Sequence, residues 1–246
     1  VTGASEEQIP QPVAAFNGRV RGLALSQRAD RAVGLAGDIV DLVRHAVSVH
    51  ATNRIVTYSD RISSQVGTSF AANAFNDVQR SLIEAEILQT VRLWDHPDID
   101  RIGLQTAYWL SKDPAVRTIL NDRHTTAPEP YPGYIADRLA RQDLLWLRLD
   151  RVMALILGSD LLTRLRNFRD KRLAHWLVQT KLERAGETVP PALYGDERRL
   201  LVRTVIAADL LARATRDASF DFKGQWRIAQ RNAEAFWHGC TVKPLR

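Results

Sequence analysis

Apolar residues return every three or four positions along nearly the whole of this 246-residue chain. No segment alternates apolar with polar residues over a sustained stretch. That constrains the fold most, because a 3.6-residue period lays a stripe along a helix, whereas a half-buried strand needs a period of two. Ile39, Val40, Leu42, Val43 and Val47 predict a helix over about residues 30–50. Val78, Leu82, Ile83, Ile87, Leu88 and Val91 predict another from Asn76-Asp77 to Trp94. Shorter helices are expected over 102–110 and 114–120, the second opened by Asp113 and a proline in its first turn. Leu139, Leu144, Leu145, Leu147, Val152 and Leu155 mark a helix over 134–157. Gly158-Ser159-Asp160 then ends it and caps a helix running to about Arg184. Helices over 196–216 and 222–237 complete the reading. The fold class expected is an all-α antiparallel helical bundle without a sheet.

Two stretches break the pattern: residues 124–133, with Pro128, Pro130 and Pro132, and residues 186–191. The amphipathic helices before the first break need partners, so residues 28–240 are read as one domain with that loop inside it. Residues 1–27, with Pro10 and Pro12, are read as an arm or a first short helix.

The net charge of +6 is unevenly spread. From residue 161 onward there are seventeen Lys and Arg against nine Asp and Glu, and before it seventeen against nineteen. The basic excess therefore lies wholly in the last third, which suits a polyanionic partner. Cys240 is the only cysteine, so an internal disulfide and a cysteine-based metal site are excluded. The longest apolar run, Val152 to Leu157, is far short of the ~20 residues that span a bilayer. With no charged segment leading into an apolar one at the start, a cytoplasmic protein with no membrane partner is expected.

The basic third holds one conspicuous string, Arg164-Leu-Arg166-Asn-Phe-Arg169-Asp170-Lys171-Arg172-Leu-Ala-His175-Trp176. A guanidinium binds phosphate oxygens through paired hydrogen bonds and stays charged, while an imidazole exchanges protons near neutral pH. Together they suffice to cut a phosphodiester without a metal or a cofactor. A plainer reading makes Arg166 and Asp170 a surface ion pair at i,i+4 and His175 a core residue. On an unbroken α-helix, positions 169 and 175 would lie about 120° apart and ~9 Å along the axis. A local distortion or a symmetric second chain must then bring Arg169 and His175 to one phosphate.

Arg169, followed directly by the polar Asp170 and six residues on by His175, resembles the Arg-x(4–6)-His signature of the HEPN superfamily. The longer block Arg-Asp-Lys…Ala-His is similar to that of the AbiU-like abortive-infection branch. The resemblance implies a metal-independent endoribonuclease acting at a homodimer cleft, in which the RNA 2′-OH attacks the adjacent phosphate to leave a 2′,3′-cyclic phosphate. It implies Arg169 and His175 as the catalytic pair, with Asp170 supporting Arg169. Arg166, Lys171 and Arg172 are the expected RNA-backbone contacts. Family members paired with a nucleotidyltransferase antitoxin often carry a tyrosine two residues after the histidine. Here that position is Leu177, which speaks against that mode of control but not against a protein antitoxin as a partner.

The alternative is a non-catalytic HEPN-type dimer module that binds RNA or protein. His96-Pro97-Asp98 is read as a helix-ending turn, and Trp226 and Trp237 as core packing. His45 and His50, five residues apart, do not share a helical face and are not read as metal ligands.

Overall fold

The computed structural model describes residues 11–67, 71–125, 131–174 and 177–240, and these hold helices joined by turns, with no strand among them. In chain order the helices are α1 (Gln11–Val20), α2 (Leu25–Tyr58), α3 (Asp60–Val66), α4 (Ala71–Arg92), α5 (Leu104–Ser111), α6 (Pro114–Thr125), α7 (Tyr134–Leu157), α8 (Asp160–Phe168), α9 (Lys181–Arg184), α10 (Asp196–Arg216) and α11 (Phe222–Gly239). Between α8 and α9, Arg169–Ala174 winds as a π-helix.

α2 is the spine, about 50 Å long at 1.5 Å per residue, and α4, α5, α6, α10 and α11 all pack on it. Its buried stripe mixes Ala29, Ala32, Ala36, Ala46 and Ala51 with Leu35, Ile39, Val43 and Val47. The alanines keep neighbouring backbones close and the branched residues fill the gaps between them. Cross-links fix the directions. His50 and Asn53 of α2 meet Glu86 of α4, and Gln79 of α4 donates to the Val56 carbonyl. Residue numbers rise along one helix as they fall along the other, so the two run antiparallel. Arg117–Asp150 and Asn121–Trp146 show the same for α6 and α7, and Gln142–Ala214 with Arg138–Asp217 for α7 and α10.

One continuous apolar cluster runs from Phe16 to Ala233 and draws on helices both before and after residue 128. α1 belongs to it through Phe16 and Val20. Two expectations change. The helix expected to run unbroken from 160 to 184 is divided by the π-helix and by a non-helical stretch before α9. In α7, Leu139, Leu144, Leu147 and Leu155 face outward, while Leu145, Trp146, Leu149, Met153 and Ile156 form the buried stripe. With leucines on both faces, spacing alone does not choose which face is buried.

Candidate active site

The site is built on a turn anchored in the core. Trp94 is fully buried just after α4, and its Nε1 donates to Thr204 Oγ1 of α10 at 2.8 Å. The Leu93 carbonyl accepts from the Leu104 amide at 2.8 Å, which ties the turn to the start of α5. Gln105 Nε2 donates to the carbonyls of Trp94 and Asp95. Asp95 and His96 therefore leave a fixed point and project where solvent begins.

From the other side comes the motif. Ser159 caps α8, its hydroxyl accepting from the Leu162 amide at 3.3 Å, and Leu161, Leu162 and Leu165 are buried. The next core-facing residues are Phe168 and Leu173, which both pack against the cluster. Five residues apart, they would diverge by about 140° on an α-helix. The i→i+5 bonding of a π-helix brings such a pair to one side, and turns of this kind recur at functional sites. The motif thus departs from α-helical geometry across Arg169–Ala174.

Arg169 opens this π-helix with its side chain largely buried. Its Nη1 bonds Asp95, and its Nε donates to Asp170 Oδ1 at 2.8 Å. Burial works against the guanidinium charge, but the bonds to Asp95 and Asp170 outweigh it and raise the pKa above the ordinary value. A guanidinium has five N–H donors, so at least two remain for phosphate oxygens. Asp170 thus touches Arg169, the supporting contact that the resemblance implies.

Arg166 does not pair with Asp170. It donates to the Trp94 carbonyl, and burial foremost pulls its pKa down to about 10, still charged at neutral pH. Lys171 Nζ sits 2.8 Å from Glu183 Oε1 of α9. The same carboxylate accepts from Asn167 and from the Thr180 amide, while Thr180 Oγ1 donates to Asn167. Two of the three expected RNA contacts are thus engaged within the chain, Arg166 by the Trp94 carbonyl and Lys171 by the Glu183 carboxylate. Arg172 is exposed and has no partner among the described residues. His175 lies outside the described residues.

Arg169 and Asp95 line an open cleft of about 390 Å³ together with Arg19, His96, Asp98 and Arg101. A second depression of about 430 Å³ shares Asp95, His96 and Arg101 with it. Arg19 of α1 closes one edge through Asp98 at 3.0 Å and Asp100 at 2.6 Å. His96 was read from sequence as part of a turn, and so it is, but the turn borders the motif. Its pKa is lowered by burial and then by Arg166, Arg169 and Lys181, against the opposing pull of Asp95. No short-range signal joins residues 95–96 to 169. The core packing of Trp94 and the bonds of Arg166 and Arg169 to this turn bring them together.

These features define a helical bundle with an arginine-centred polar cleft. The profile of the AbiU2 family of HEPN domains matches residues 36–236 of the chain. The chain belongs to the AbiU2 family, a HEPN-type module of the abortive-infection kind. No curated protein and no solved structure matches it.

Proposed function

We propose that the protein is a metal-independent endoribonuclease of phage defence, acting as a homodimer on cytoplasmic RNA, with a protein antitoxin as a candidate partner. The observation that carries the reading is the Arg169 guanidinium, held between Asp95 and Asp170 at the edge of an open cleft with donors to spare. Such a pre-set cation stabilises the charge that builds on the phosphorane oxygens without reorganising during the reaction. His175 supplies proton transfer, taking the 2′-OH proton or returning one to the departing 5′-oxygen. His96 is a second imidazole beside Arg169, favouring its neutral form and so fitted to accept a proton.

The test is cleavage of RNA by purified protein in EDTA, with end-group analysis. Cyclic phosphate termini are expected, with rate losses of roughly 10²–10⁴ in His175→Ala and Arg169→Ala variants that keep the fold. Undiminished cutting by both variants, or none by the wild type, ends the proposal. A second reading is the non-catalytic HEPN-type module that binds RNA or protein, for which exposed Arg172 is an open contact. Salt-sensitive RNA binding without turnover would select it, and Arg172→Glu should then weaken binding.

A further inference from the structure

A second polar centre lies apart from the Arg169 cleft. Glu86, in the middle of α4, is completely buried, and both its oxygens are used. His50 Nδ1 donates to Oε1 at 2.7 Å, and Asn53 Nδ2 donates to Oε2 at 2.7 Å. Asp95 follows Glu86 by nine residues, so the last turns of α4 and the turn after it separate the two centres.

With the carboxylate ionised and the ring neutral, the proton between them sits on Nδ1 and Nε2 is left as an acceptor. His50 is only 5% exposed, and its Nε2 is buried without a hydrogen-bond partner. The edge-to-face contact with Trp226, at 5.1 Å between ring centres, holds the ring in place and offers Nε2 nothing. An unsatisfied buried acceptor costs about 1–3 kcal/mol, so an arrangement that keeps one calls for a donor from outside.

His50 lines a cavity of about 420 Å³, within the range of small-molecule sites. The walls come from the last turns of α2, from Ile83 of α4 and from the first turn of α10. Arg54 and Arg198 stand in that lining, and neither has an ion-pair or hydrogen-bond partner among the described residues. Tyr58 and Tyr194, ring centres 5.7 Å apart, form one side. Gly195, at φ +87, permits the tight entry to α10, and its amide donates to Glu197 at 3.0 Å. Burial, and then the nearby Glu86, raise the Glu197 pKa, which works against negative charge in the cavity.

Two unpaired guanidiniums call for an anion with several oxygens, and the buried imidazole calls for a donor on the same molecule. We infer that this cavity binds a small hydroxyl-bearing phosphomonoester, its phosphate on Arg54 and Arg198 and a hydroxyl donating to His50 Nε2. The site is independent of the ribonuclease reading.

The probe is ribose 5-phosphate, titrated calorimetrically into the full chain, with the ¹⁵N resonance of His50 Nε2 followed in parallel. His50→Ala would strand the Glu86 carboxylate in the core and is expected to unfold the bundle. The exposed pair Arg54→Ala/Arg198→Ala therefore carries the test. Expected are saturable binding to the wild type, at least tenfold weaker binding to the double variant at an unchanged melting temperature, and a moved Nε2 resonance. Inorganic phosphate should bind more weakly without moving Nε2, and ribose should not bind. Absence of saturable binding at millimolar ribose 5-phosphate, equal affinity in the double variant, or binding that leaves Nε2 unmoved would each overturn the inference.

Discussion

Arg169 owes its place to two carboxylates from different parts of the chain, one beside it in sequence and one 74 residues earlier. The contact from Asp170 was legible because the motif sets it directly after Arg169. That from Asp95 was not, because tertiary contacts, the burial of Trp94 with its bond to Thr204 and the bond from Arg166 to the Trp94 carbonyl, set the earlier turn against the motif. His96 inherits its surroundings from that meeting. Desolvation and the cations Arg166, Arg169 and Lys181 all favour its neutral form, so its NMR titration midpoint should fall below 6.5. Arg169→Met removes one of those cations and should move the midpoint upward. A midpoint at or above 6.5 in the wild type would remove His96 from the proton-transfer chemistry.

At the scale of elements, the π-helix is the feature that an α-helical reading of the motif misses. Its trace in the sequence is the five-residue step from Phe168 to Leu173, which would part the two by about 140° on an α-helix. Beyond it, Glu183 joins α9 to the motif by accepting from Lys171, Asn167 and Thr180 at once. The bond from Lys171 chiefly, then those from Thr180 and Asn167, hold its carboxyl down at about 2, against 4.5 ordinarily. A carboxyl whose pKa is depressed by folding contributes stability above its unfolded pKa and loses it as pH falls through the folded one. Thermal melts between pH 5 and 2 should therefore show a loss in the wild type that is smaller in Glu183→Gln. Parallel profiles for the two proteins would mean that the contact contributes nothing.

Across the whole molecule, the bundle and most helix bounds follow from apolar spacing, and α10 begins and ends where spacing placed it. The inward face of α7 did not follow, because burial was settled by partners far off in sequence. Leu149 and Met153, both without exposed surface, pack in the shared core. Leu149→Ala should cost about 2–5 kcal/mol in denaturant titration. If the cluster makes one cooperative unit, circular dichroism and tryptophan fluorescence should give coincident transitions, and a biphasic curve would argue for separate units. Leu144, Leu147 and Leu155 lie along one exposed face of α7, an apolar strip on which the proposed homodimer would meet. If it does, Leu147→Asp should shift the sedimentation profile toward monomer, and an unchanged profile would remove this face from the proposal.

α1 is fastened to the bundle in two unlike ways, by the buried rings and methyls of Phe16 and Val20 and by the solvent-facing bonds of Arg19 to Asp98 and Asp100. Added electrolyte weakens the second attachment and leaves the first largely intact. Trypsin should accordingly nick the chain after Arg19 or Arg21 faster in concentrated sodium chloride than in dilute buffer, while the melting temperature hardly moves. One flank of the arginine-lined groove would thus respond to the ionic composition of its surroundings.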